Sequence, residues 1–131
     1  MSEDRFTKGY EKFMQVDGKG GLKAVEDLKE LVPELERYLV EYPFGDIYSR
    51  PGLDTGTREL ASVAALTAMG GCEPQLRVHI HAALNLGRTR REVVEAILQM
   101  SVYAGFPRAI NALYVARDVF ARRDAKGGDA E

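Results

Sequence analysis

The stretch "TRELASVAALTAM" (residues 57–69) decides the fold class. Once past Arg58 and Glu59, its apolar residues recur at threes and fours, and almost no polar face is left. That is the composition of a central, buried helix. Gly70 and Gly71 end it. Downstream, Glu73 and Pro74 read as a cap and a first helical position, and Gly87 as the stop, so a second helix covers about 74–86. "TRRE" at 89–92 has the form of a capping box and opens a helix running to about 104. "GFP" at 105–107 breaks it, a last helix runs from 107 to about 123, and 124–131 is expected to fray.

Upstream, "PFGDIYSRPGLDTG" (43–56) has too many prolines and glycines for a long helix. Its Phe44, Ile47, Tyr48 and Leu53 are too apolar for a solvated linker, so an ordered, packed loop is expected. The N-terminal portion, 1–16, holds a helix from about residue 3, and the glycines of "DGKGG" (17–21) read as an interior linker. Leu22, Val25, Leu28 and Val32 form the stripe of the next helix. Pro33 then starts another, with Leu35, Tyr38, Leu39 and Tyr42 on its apolar side. No stretch alternates like a strand. The expectation is an all-α helical bundle.

The whole chain is consistent with that reading. Its 131 residues suit one domain, 1–131, and 45% hydrophobic with 29% charged residues is a globular balance. No apolar run approaches the ~18 residues of a membrane span. The beginning, "MSEDRFTKGYEKF", lacks the apolar core of a secretory signal, which points to the cytoplasm. One cysteine allows no internal disulfide, and a net charge of −2 with bases spread among acids gives no case for nucleic acid.

The lone cysteine and both histidines lie together in "CEPQLRVHIHAAL" (72–84). At about 100° per residue, His79 falls among Leu76, Ile80, Ala83 and Leu86, and His81 falls on the wet side with Arg77, Asn85 and Arg88. Two histidines two residues apart face different ways, so they do not form a helical metal site. His79 is either a core histidine satisfied locally or an acid/base group. Glu59 bears on that choice, because it stands above Val63 and Leu66 on an apolar face where a carboxylate is costly unless paired. It is either a first-turn acid favoured by the helix dipole or the partner of His79, which it would hold in one tautomer and make more basic. Cys72, at a helix start, is either a small buried residue or a thiol with a lowered pKa. No second cysteine is present to resolve its oxidised form.

Three segments in register, "PFGDIYSRPGLDTGTREL" (43–60), "CEPQLRVHIHAALNLG" (72–87) and "EVVEAILQMSVYAGFPRAINAL" (92–113), resemble the carboxymuconolactone decarboxylase family, within the alkylhydroperoxidase D-like superfamily. The resemblance implies an all-α homo-oligomer, a trimer or a hexamer built as a trimer of dimers. In its decarboxylase branch it implies cofactor-independent removal of the carboxylate of 4-carboxymuconolactone, in the catabolism of aromatic compounds by way of 3-oxoadipate (the β-ketoadipate pathway). The alkylhydroperoxidase branch uses a glutamate, a C-x-x-C pair and a histidine. Glu59, Cys72 and His79 match, but Gln75 stands in the second cysteine's place, which argues against a thiol relay and leaves Cys72 an alternative only. The decarboxylases proper carry tryptophan at the position of Tyr48. No metal or cofactor is implied. A carboxylate substrate needs cations, for which Arg50 in "YSRPG" comes first and Arg58 second. Each has an ordinary alternative as a solvated cation, and Tyr103 is either pocket lining or core. A helical oligomer that merely binds a small acid is the non-enzymatic reading.

Overall fold

The computed structural model describes residues 2–16 and 18–128, and among these every regular element is helical. The chain divides into two compact units, residues 1–54 and 55–131.

In the first unit, α1 (Ser2–Val16), α2 (Gly18–Leu28) and the short α3 (Leu35–Leu39) are followed by a π-helical segment, Val40–Ile47. Two sequence expectations change here. The glycine linker is largely helical: the break is at Gly18, with φ +51°, while Gly20 and Gly21 lie inside α2; Asp17 lies outside the described residues. The start of the expected loop, 43–47, is also helical, although it contains Pro43. A proline has no amide to donate and its ring crowds the carbonyl four residues back, and a widened turn relieves both problems. The wide register shows at its end, where the Tyr48 amide donates to the Pro43 carbonyl at 2.7 Å, five residues back.

Phe13, Val16, Val25, Val40 and Phe44 are the buried apolar residues of this unit. Phe44 sits edge-on to Phe13 and stacks on Tyr48, with ring centroids 5.3 and 4.7 Å apart. Leu28, Val32, Tyr38, Tyr42, Ile47 and Leu53, all read as apolar-face or packed residues, are exposed. Where α1 meets the π-helical segment, Gly9 and Gly45 bring the two backbones together. Arg5 then clamps the same pair with a two-pronged bond to Asp46, at 3.1 and 2.8 Å, and lies 3.6 Å from the buried Glu41.

The second unit is α4 (Thr55–Met69), α5 (Glu73–Asn85), α6 (Arg90–Ala104) and α7 (Phe106–Ala125). Its core is one cluster drawn from all four helices, with Val63, Ile80, Val93, Ile97 and Val119 fully enclosed. α4 is less buried than its composition suggests: Gly56, Glu59, Val63 and Thr67 face inward, whereas Ala61, Ala65 and Met69 are exposed. α5 begins at Glu73, with Cys72 as its N-cap and Pro74 in its first turn. At the far end, residues 124 and 125 belong to α7 and 126–128 turn away from it; the rest of the expected frayed tail, 129–131, lies outside the described residues.

The capping box forms as its sequence implies. Thr89 Oγ1 accepts from the Glu92 amide at 3.0 Å, and Glu92 Oε1 accepts from the Thr89 amide at 2.8 Å. Thr89→Ala is expected to cost about 1 kcal/mol in urea unfolding, since the Glu92 amide in the first turn of α6 loses its acceptor. A change below about 0.3 kcal/mol would show that water replaces the box at no cost.

Candidate active site

Glu59 lies in the second turn of α4, on the face that points into the bundle, and is wholly enclosed. His79 lies midway along α5, five residues after the Pro74 that helps start that helix. The packing of α4 on α5 brings the two together: His79 Nδ1 is 2.6 Å from Glu59 Oε1. An ionised carboxylate only accepts, so Nδ1–H is the donor and Nε2 is the nitrogen that can meet a reactant. The imidazole is 17% exposed and the carboxylate 0%. The imidazole therefore keeps some contact with solvent, and the carboxylate has none.

The other residues singled out from sequence are spread more widely. Arg58, next to Glu59, is half-buried in the same unit, whereas Arg50 is exposed in the first unit, in the turn after the π-helical segment. Tyr103 near the end of α6 is 81% exposed, so in this chain it is not core packing. Cys72 is half-buried, with Sγ 3.5 Å from the Gly70 carbonyl oxygen, an acceptor suited to a thiol and not to a thiolate. Among the described residues, no group of three or more His, Cys, Asp or Glu side chains is placed to hold a metal ion, and no helix is long and apolar enough to cross a membrane.

Helical periodicity assigned two residues to the wrong environment. His81 is not a wet-side residue: α7 lies over it, and Arg123 Nη1 approaches its Nδ1 at 2.9 Å while Nη2 donates to Asn85 Oδ1 at 2.9 Å. A guanidinium can only donate, so Nδ1 of His81 accepts and the ring is neutral, with its proton on Nε2. Burial, followed by the charges of Arg123, Arg77, Lys126 and Arg122, holds the His81 pKa below its ordinary value. A depressed histidine pKa contributes stability that is complete above the unfolded pKa, about 6.5, and is lost as pH falls through the folded one. Stability should therefore decline as pH falls below about 6.5, and His81→Gln should flatten that slope in urea melts. Asp118, held low by hydrogen bonds from Arg77 and Arg122, titrates in a separate window below its ordinary 3.8. Equal slopes for the two proteins would refute the assignment.

Arg88 is the second such residue. It is half-buried, donates from Nη2 to Thr57 Oγ1 at 3.3 Å, and lies against Gly56, one turn before Glu59. The signal that could have drawn attention to it is a glycine in the first turn of the most apolar helix.

These observations define an all-α helical bundle that holds an imidazole against an enclosed carboxylate. Comparison with known proteins narrows this. The model of the carboxymuconolactone decarboxylase family matches residues 33–118. A 4-carboxymuconolactone decarboxylase of Acinetobacter baylyi is 35% identical over 119 residues, covering 90% of this chain and 88% of that one. An uncharacterized 15.0 kDa protein of Paracoccus denitrificans is 41% identical over 98 residues, 74% of this chain and 73% of the other. A nitrosuccinic acid decarboxylase of Metarhizium robertsii is 32% identical over 80 residues, 61% and 55%. The chain belongs to the carboxymuconolactone decarboxylase family. Membership supports an enzymatic role of the decarboxylase, or lyase, kind.

Proposed function

We propose that this protein is a cofactor-independent decarboxylase of 4-carboxymuconolactone or a similar small carboxylated lactone, with His79 as its acid/base group and Glu59 as the group that holds it. The observation that carries the reading is the 2.6 Å contact between His79 Nδ1 and the enclosed Glu59 carboxylate. Support for the substrate class comes from the similarity to the Acinetobacter decarboxylase over nearly the whole chain.

The chemistry suits these groups. When the bond to the carboxylate breaks, carbon dioxide leaves and the electron pair moves through the ring alkene onto the lactone carbonyl oxygen. The resulting dienolate needs a hydrogen-bond donor at that oxygen and then a proton on carbon. His79 Nε2–H supplies either, while Glu59 stabilises the positive imidazolium; removal of one such donor costs roughly 3–4 kcal/mol of barrier. The Metarhizium relative widens the class to acids in which a nitro group receives the electron pair. The substrate carries two carboxylates, and we assign one of them to Arg58, beside Glu59, with Tyr103 as pocket lining contributed at a contact between copies of the chain. In this reading the protein is a homo-oligomer, a trimer or hexamer, and its place is in aromatic catabolism.

The test is carbon dioxide release from 4-carboxymuconolactone generated in place, using purified protein treated with a chelator. Release in proportion to lactone consumed is expected. Lactone that persists at its uncatalysed rate refutes the substrate.

A further inference from the structure

The inward face of α4 carries Gly56, Glu59, Val63 and Thr67 in succession. The space a side chain would fill at Gly56 is taken by Arg88: a Cβ there would lie 2.4 Å from Nε, 2.8 Å from Nη2 and 3.0 Å from Cζ. Gly56 does not have a positive φ, so its backbone does not require glycine; the missing side chain is what makes room. Residues three apart on a helix have Cβ atoms about 5–6 Å apart, so the guanidinium is seated one turn from the position that carries the enclosed carboxylate, Glu59. Its position is otherwise unfavourable, because a cation at a helix N-terminus is opposed by the helix dipole. An anion nearby offsets that. Glu59, one turn further along α4, is enclosed, where a charge acts more strongly than in water.

We propose that Arg88 is a positioning residue for the Glu59–His79 pair. Seated in the notch at Gly56 and bonded to Thr57, it fixes the first turn of α4 and so the direction in which Glu59 presents its carboxylate to His79 Nδ1. The inference rests on reading that pair as the acid/base machinery, but the pair's geometry is observable without substrate. His81 holds its proton on Nε2, so an exchange-protected, low-field imidazole Nδ1–H signal in the ¹⁵N-histidine-labelled protein belongs to His79.

The experiment compares that signal, and decarboxylation kinetics, in the full chain and in Arg88→Met, Arg88→Lys and Gly56→Ala. Arg88→Met is expected to broaden or abolish the signal and to lower kcat roughly 10- to 100-fold with KM changed less than about threefold, as for a displaced but present catalytic group. Arg88→Lys should restore most of both. Gly56→Ala displaces the guanidinium while leaving its charge on the chain and adding a better helix former, so it should fold even if Arg88→Met does not, and should disturb the signal in the same way. A signal unchanged in Gly56→Ala and in folded Arg88→Met overturns the proposal. A signal moved by both, in a protein that releases no carbon dioxide, supports the positioning role and counts against the acid/base reading alone.

Discussion

Replacing His79 by asparagine is expected to lower kcat for decarboxylation by roughly 10²- to 10⁴-fold while leaving the fold intact. The asparagine amide nitrogen can take the place of Nδ1 and still donate to Glu59, so the enclosed carboxylate keeps a partner, but nothing remains in the place of Nε2 to carry a proton. Alanine is a poorer probe, because it leaves a buried carboxylate without its imidazole, a loss that costs on the order of 3–5 kcal/mol and confuses unfolding with inactivity. Glu59→Gln separates the two roles. Its amide oxygen still accepts from Nδ1–H, but it carries no charge to stabilise the imidazolium, so an intermediate loss in kcat is expected together with a shift in the pH profile. Carbon dioxide release measured from pH 5.5 to 8.5 on the three proteins decides the matter. Activity of His79→Asn within threefold of the parent would remove His79 from the reaction.

That pair was half legible in the sequence. Each side chain could be assigned to an apolar helical face, Glu59 above Val63 and His79 beside Leu76 and Ile80, because periodicity records which way a residue points. It does not record where along a neighbouring helix the face lands, and the 2.6 Å contact depends on the placement of α4 on α5. The capping box was fully legible, since its two bonds join Thr89 and Glu92, three residues apart in sequence. Errors arose where a residue's partner is remote in sequence. His81 looks solvated on its own helix and is covered by α7 through Arg123, 42 residues on. Gly45 reads as a helix breaker, and instead sits inside a helical segment because α1 needs the space. Arg88 belongs to the same group: beside Gly87 it looks like a loop cation, and only Gly56, on another helix, accounts for its place. The apolar residues of α4 that remain exposed, and Tyr103 on α6, show the opposite limit, because composition alone does not say which apolar residues of a helix the fold covers.

Gly9→Ala is expected to be the most damaging conservative change in the first unit. An alanine Cβ would lie 2.2 Å from the Val40 carbonyl oxygen and 2.9 Å from the Gly45 nitrogen, and both are backbone atoms that cannot rotate aside. The two segments would have to separate. Separation lengthens the contact between Phe13 and Phe44 and withdraws Arg5 from Asp46 and from Glu41, which is only 5% exposed. Overpacking alone costs roughly 1–3 kcal/mol, and the loosened cation near a buried carboxylate adds to it. Alanine's better helix propensity returns only about 1 kcal/mol. A net loss of roughly 2 kcal/mol or more is therefore expected in urea unfolding, followed by tyrosine fluorescence because the chain has no tryptophan. Gly52→Ala is the control: a Cβ there meets nothing within 4 Å, so its effect should stay within about 0.5 kcal/mol. If both variants unfold at the same urea concentration, the close approach at Gly9 does not hold α1 to the π-helical segment, and the aromatic contacts of Phe13, Phe44 and Tyr48 must hold it without help.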